Sequence, residues 1–124
     1  GVYNTLCVFG TSISSKVLCF LLSLDVKCIH ICLNNDEDKE KNRGKIGSLG
    51  VYCKLLSYFS RSRICISPPT LNDFGDMNKE EIETWLSNLS DPGSNLKQMD
   101  SDIKSHYESG DISKSVYQSF KKHM

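Results

Sequence analysis

Short strand-like segments alternate with helical segments in the first half of this sequence. Residues 3–9, 26–33 and 63–67 are apolar or β-branched runs that are too short for free-standing helices, so we predict a buried strand at each. Between them, apolar residues recur at helical spacing over residues 12–24 and 48–60. Because strands joined through one buried helix pair in parallel, the pattern predicts an α/β fold with a β-α-β-α-β unit of parallel strands.

The second half of the sequence predicts helices alone. Asn78 and Glu81 have the spacing of a capping box, and the amphipathic helix that follows ends before the turn at residues 91–93. Two sparse apolar stripes beyond this turn predict a helical hairpin. We therefore divide the chain into a Rossmann-like domain over residues 1–90 and a C-terminal helical segment over residues 91–124.

The overall composition excludes several function classes. With 15 basic and 15 acidic residues the net charge is +0, so any contact with a nucleic acid must come from a local patch. The longest apolar stretch is too short to cross a bilayer, and no signal-peptide pattern is seen, so we expect no membrane association.

Six cysteines lie inside apolar segments, and none forms a CxxC pair. We interpret them as reduced core thiols, which indicates an intracellular, reducing compartment. They are Cys7, Cys19, Cys28, Cys32, Cys53 and Cys65.

Residues 10–17 (GTSISSKV) lie between the first predicted strand and the first predicted helix, where a phosphate-binding loop would sit. The segment lacks the second glycine and the final hydroxyl residue of GxxxxGK[ST], and it also lacks GxGxxG spacing. We therefore predict neither a nucleoside triphosphate site nor a dinucleotide site. Gly10, Thr11 and Ser12 remain candidates for a loop that contacts a ligand.

Two histidine clusters and one tryptophan give weak signals. Cys28, His30 and Cys32 share one face of a predicted strand, but no fourth ligand has metal spacing, so we predict core packing and no metal. His106 and Glu108 give a weak acid/base signal because nothing positions a nucleophile beside them. Trp85 has helical spacing with other apolar residues, which favours a core position over base stacking.

The segment at residues 34–45 (NNDEDKEKNRGK) contains no apolar residue and predicts a solvated loop. Acidic residues and cations are mixed within it, which is typical of a surface loop with no specific partner. The cations nevertheless cluster towards its end, where they could contact a phosphate backbone. These cations are Lys39, Lys41, Arg43 and Lys45.

Residues 3–73 resemble the N-terminal Rossmann-like part of the folate-dependent formyltransferases, most closely the methionyl-tRNA formyltransferases. The matching features occur in the same order and with similar spacing. They are VFGT at residues 8–11, LLSL at 21–24, RGK at 43–45, KLL at 54–56, and a third strand leading to Pro68, with Leu71 and Asp73 behind it.

This resemblance implies transfer of a formyl group from 10-formyltetrahydrofolate to an amine, that of methionine on initiator tRNA. It also implies that Arg43 and Lys45 contact the tRNA, because the loop after the second strand approaches the acceptor arm in tRNA-dependent members. The family's catalytic Asn-x-His-x-Ser segment is absent, so we assign no catalytic residue and expect the chain alone to be a fragment or inactive. The alternative is a non-catalytic Rossmann-like interaction domain whose C-terminal helices dock a protein partner.

Overall fold

The computed structural model describes residues 13–123, which form a mixed arrangement of helices around a small parallel sheet. Short 3-10 turns at Arg61–Arg63 and Phe74–Asp76 connect some of the main elements. In chain order, the main elements are α1 (Ser15–Ser23), β1 (Ile29–Ile31), α2 (Arg43–Leu55), β2 (Ile64–Ile66), α3 (Lys79–Ser87), α4 (Leu96–Glu108) and α5 (Lys114–Lys121).

The sheet of the described residues consists of β1 and β2, which run parallel with His30 opposite Cys65. The predicted parallel pair is therefore confirmed, with α2 as the crossover between its strands. Both strands are shorter than the apolar runs at residues 26–33 and 63–67 that predicted them. The first predicted strand, at residues 3–9, lies outside the described residues, so the complete β-α-β-α-β unit stays a prediction.

Capping side chains set where several helices begin. The Ser14 hydroxyl accepts a hydrogen bond from the Val17 amide at the start of α1. The predicted capping box of α3 is confirmed, since the Asn78 side chain and the Glu81 side chain each accept a hydrogen bond from the other residue's amide. Helix α2 begins at Arg43, earlier than the predicted residue 48, because Asn42 caps it by accepting from the Lys45 amide.

One hydrophobic core joins α2, both strands and the two C-terminal helices. The predicted helical hairpin is confirmed as α4 and α5, and the apolar stripes of both helices pack against α2. Ile103 of α4 and Phe120 of α5 are fully buried there, in contact with the same cluster as Ile31 and Ile64. The segments on either side of residue 90 thus share this core.

The environments of the cysteines differ from the sequence prediction. Cys53 and Cys65 are buried, as expected of core thiols, and Cys32 is partly buried. Cys19 and Cys28 are exposed, so the prediction that they are core thiols was wrong. Helix α1 buries only Leu18 fully and leaves Cys19 towards solvent, while Cys28 precedes the short strand β1. Cys7 lies outside the described residues.

Helix α1 is apolar around most of its circumference, and it leaves large side chains in solvent. Phe20, Leu22 and Leu24 are each about half exposed. None of the described helices is long and apolar enough to cross a membrane.

Candidate site at the carboxyl ends of the strands

Asp36 organises the loop that follows β1. Its carboxylate accepts hydrogen bonds from the Gly44 amide at 3.0 Å and from the Asn72 side chain at 2.8 Å, and it pairs with Lys39 at 3.2 Å. Burial alone raises the pKa of a carboxyl group, but these hydrogen bonds outweigh burial and hold the pKa of Asp36 below its ordinary value. Asp36 therefore joins three segments: its own loop, the start of α2 and the loop after β2.

Three further hydrogen bonds join the loop after β1 to the loop after β2. The Asn35 amide donates to the Asn72 carbonyl at 2.7 Å, and the Asn72 side chain donates back to the Asn35 carbonyl at 3.0 Å. The Asn35 side chain also donates to the Pro69 carbonyl at 3.0 Å. The loops at the carboxyl ends of β1 and β2 are thus locked to each other, at the edge where open α/β folds bind their ligands.

The first turn of α2 lies tightly against this loop. A Cβ atom at Gly44 would overlap the backbone carbonyl of Asn34, so the close approach requires glycine. The Gly44 amide is bonded to Asp36 and the Lys45 amide to Asn42. These two amides of the helix N-terminus are therefore satisfied by the chain's own side chains.

Three of the four cations of the charged loop (residues 34–45) form ion pairs, and the fourth does not. Lys39 pairs with Asp36, Lys41 with Asp111 at 3.0 Å, and Lys45 with Asp102 at 3.2 Å. Arg43 is exposed, and no carboxylate of residues 13–123 forms an ion pair with it. Of the two residues that the resemblance assigns to tRNA contact, Lys45 is thus engaged with α4 and Arg43 is available.

His106 lies in a polar cluster at the end of α4, and its partner is Asp111, not the neighbouring Glu108. The imidazole Nδ1 is 3.0 Å from the Asp111 carboxylate, which also accepts from the Ser109 hydroxyl at 3.0 Å. Hydrogen bonds from His106, Lys41 and Ser109 lower the pKa of Asp111 to about 2. The sequence prediction considered His106 with Glu108 and missed Asp111, which follows Gly110 at the end of α4.

The geometry of the cluster is that of a helix C-terminus. Gly110 has a φ of 88°, which favours glycine, and the Asp111 and Ile112 amides both donate to the His106 carbonyl. The Ser109 hydroxyl donates to the Asp111 carboxylate and lies 3.1 Å from the His106 carbonyl, and it forms no hydrogen bond with the imidazole. We therefore interpret the His106–Asp111 pair as structural. Through the ion pair of Asp111 with Lys41, it connects the charged loop to the helical hairpin.

The strand residues Cys28, His30 and Cys32 do not form a metal centre with the geometry found here. His30 Nδ1 is 2.9 Å from the Ser67 hydroxyl, and Ser67 is also within 3.6 Å of the Cys65 sulfur. Burial, together with Cys65, raises the pKa of the Cys32 thiol to about 11. Over residues 13–123, no group of three or more histidine, cysteine or acidic side chains is arranged to hold a metal ion.

Trp85 is only partly buried, so the prediction of a core position was wrong. It lines a groove whose other residues include Ile66, Pro68, Glu80, Glu81 and Leu89. Its indole N–H donates to the Pro68 carbonyl at 2.9 Å, and its ring meets the Phe74 ring edge-on at a centroid distance of 4.8 Å. Helix α3 contributes no fully buried side chain to the core, which explains why helical spacing was misleading here. The groove opens directly after the end of β2.

The candidate loop residues Gly10, Thr11 and Ser12 lie outside the described residues. Comparison with known proteins adds no further assignment: no model of a known protein family matches this sequence, and neither a curated protein nor a solved structure matches it.

Proposed function

We propose that this chain is the tRNA-contacting part of a 10-formyltetrahydrofolate-dependent formyltransferase, and that it does not transfer the formyl group by itself. The proposal extends the resemblance over residues 3–73. The observation that carries it is the position of Arg43, which is exposed at the first residue of α2, directly after the charged loop. The chemical role is recognition of a phosphate group by a guanidinium whose donors are not used by a carboxylate of the described chain.

The ion pairs of the loop limit how strongly the chain binds RNA. Because Lys39, Lys41 and Lys45 are paired with carboxylates, each must exchange its partner before it contacts a phosphate. With one available cation at this site, the electrostatic contribution to affinity is small, and the salt dependence is shallow. We therefore expect this chain to position an RNA that other parts of an enzyme hold more tightly.

The charge of the groove at the end of β2 is unfavourable for a folate. The glutamate tail of a folate is anionic, whereas Glu80 and Glu81 line this groove and none of its lining residues is basic. The chain also contains no Asn-x-His-x-Ser segment. We therefore assign the described residues a binding role and no step of formyl transfer.

The alternative of an interaction domain that docks through its C-terminal helices is less well supported. Their apolar stripes are the surfaces such docking would use, and Ile103 and Phe120 are already buried in the chain's own core. A partner would have to displace this packing. The exposed Arg43 therefore favours the proposal of tRNA contact.

The test is binding of fluorescently labelled initiator tRNA, followed by anisotropy at several salt concentrations. We expect Arg43→Ala to weaken binding and to reduce the slope of log affinity against log salt by about one. Lys104→Ala is the control, because it removes one exposed positive charge from α4 that does not belong to the charged loop. Equal weakening by both variants, or no binding by the unmodified chain, would overturn the proposal.

A thermal-shift titration with a stable 10-formyltetrahydrofolate analogue tests whether the chain only contacts tRNA or also binds folate. A ligand that binds only the folded chain raises its apparent stability with concentration. We expect no saturable rise in Tm. A saturable rise would show that a folate site exists in this chain, and it would contradict the division of labour proposed here.

A further inference from the structure

The groove after β2 has the size and position of a binding site. It has a volume of about 540 Å³ and lies between the residues that follow β2 and one side of α3. Ligand sites commonly have volumes of roughly 300–1,000 Å³, and in open α/β sheets they lie outside the carboxyl ends of the strands. Its apolar lining residues are Ile66, Pro68, Trp85 and Leu89.

The wall of the groove is held in a fixed geometry. Trp85 is anchored at its indole nitrogen by the Pro68 carbonyl and at its ring by Phe74. The capping box between Asn78 and Glu81 fixes the first turn of α3 beside it. A preorganised aromatic side chain reduces the entropy cost of binding, so this wall suits contact with a partner.

The charged residues that line the groove are all acidic. Glu80 and Glu81 line it, and its other polar lining residues carry amide or hydroxyl groups, with no basic side chain among them. Carboxylates next to a tryptophan ring favour a cation, because both the carboxylate charge and the ring face attract it. The apolar lining residues are covered only if the same partner also carries apolar side chains.

We propose that this groove binds an extended peptide segment in which arginine or lysine alternates with a large aliphatic residue. The basic side chains lie against Glu80, Glu81 and the Trp85 ring, and the aliphatic side chains cover Ile66 and Leu89. An open groove at the surface suits a peptide segment of a partner protein better than an enclosed small molecule. This site is separate from Arg43 and does not depend on formyl transfer.

The experiment uses Trp85 as its own reporter, since it is the single tryptophan of the chain. The probe is the peptide acetyl-Arg-Leu-Arg-Leu-Arg-amide, which has no aromatic residue, titrated into the full chain while tryptophan emission is recorded. We expect a saturable change in emission that weakens as salt is added. The peptide acetyl-Glu-Leu-Glu-Leu-Glu-amide should give no saturable change, and acetyl-Arg-Gly-Arg-Gly-Arg-amide should bind more weakly.

Two variants on α3 separate groove binding from general attraction. Glu80→Gln removes a carboxylate that lines the groove, and we expect it to weaken the Arg-Leu peptide about two- to fivefold. Glu83→Gln removes the same charge from an exposed position of the same helix outside the groove lining, and it should leave the affinity unchanged. The proposal is overturned if the Arg-Leu peptide gives no saturable change, if the Glu-Leu peptide binds equally well, or if both variants weaken binding equally.

Discussion

The backbone carbonyl of Asn34 occupies the place where a side chain at Gly44 would begin. The loop after β1 and the first turn of α2 are therefore in direct backbone contact, and Asp36 fastens them with a hydrogen bond to the Gly44 amide. Arg43, the residue immediately before the glycine, is exposed. The close backbone contact thus lies directly beside the residue proposed to contact RNA.

We predict that Gly44→Ala destabilises the protein by about 1–3 kcal/mol, because the new methyl group forces backbone to move. Gly50→Ala is the matched control in the same helix, where a Cβ atom meets nothing within 4 Å. There the change should stabilise the protein by up to about 1 kcal/mol through helix propensity. Urea unfolding followed by circular dichroism measures both. If the two variants change stability in the same direction, the close approach at Gly44 is refuted.

A second prediction concerns the buried Tyr52 of α2. Its hydroxyl accepts a hydrogen bond from Arg61 at 3.2 Å, and Arg61 also pairs with Asp100 and lies over the Phe120 ring. Burial raises the pKa of the Tyr52 hydroxyl, so the group is neutral, and a lone pair of its oxygen accepts from the guanidinium. Arg61 thereby connects α2 with both helices of the C-terminal hairpin.

Tyr52→Phe should therefore cost about 1 kcal/mol of unfolding free energy, since it leaves a guanidinium donor without its acceptor. Tyr58→Phe is the control, because Tyr58 is about half exposed and should change stability by less than about 0.5 kcal/mol. Chemical unfolding of the two variants gives the comparison. A Tyr52→Phe protein as stable as the Tyr58→Phe protein would show that this hydrogen bond contributes nothing.

The sequence predicted those features that are local along the chain. The capping box at Asn78 and the helical hairpin both follow from residues a few positions apart, and each is confirmed. The start of α2 was missed although its cap is local: Asn42 accepts from the Lys45 amide, but it lies in a run without apolar residues, where helical spacing gives no signal. Asp36 adds a contact from outside the helix through the Gly44 amide.

The same limit applies to the charged loop. Its sequence left open whether the cations were solvated or directed at a phosphate backbone. The answer depends on Asp102 and Asp111, which are distant in sequence and pair with Lys45 and Lys41. Apolar neighbours in the sequence also did not show which cysteines face the core. Cys19 lies on α1, which is apolar on several sides, but only the side with Leu18 is buried.

A third prediction concerns acid stability. The pKa of Asp111 is lowered to about 2 in the folded chain from an ordinary value of 3.8, because His106, Lys41 and Ser109 bond to its carboxylate. The ionised form therefore stabilises the folded state above the ordinary value, and this contribution is lost as the pH falls towards the folded pKa. Asp36, whose pKa is also lowered, contributes with the same sign.

Asp111→Asn should be less stable than the unmodified chain near neutral pH and should lose less stability on acidification from about pH 5 to about pH 2. Urea midpoints over this range measure the difference. Asp91→Asn, which removes an exposed carboxyl before α4, controls for the loss of one charge and should leave the acid transition in place. An Asp111→Asn protein with an unaltered acid transition would contradict the assignment.

The last prediction tests the different environments of the cysteines through their reactivity. Alkylation by iodoacetamide requires an exposed thiolate, so the exposed Cys19 and Cys28 should react first. Burial raises the pKa of Cys53 to about 11, and at about pH 8 only about one such thiol in a thousand is ionised. Cys32, with its pKa also raised to about 11, should likewise react slowly.

Peptide mass spectrometry after short labelling times gives the order of reaction for each cysteine, and labelling in denaturant shows that every thiol can react. Native Cys53 should stay unmodified until the chain unfolds, because both its burial in α2 and its raised pKa oppose attack. Labelling of Cys53 as fast as Cys19 would mean that α2 opens readily from the core. Since α2 carries Arg43 at its start and packs against both C-terminal helices, such opening would also remove the fixed geometry on which the proposed RNA contact depends.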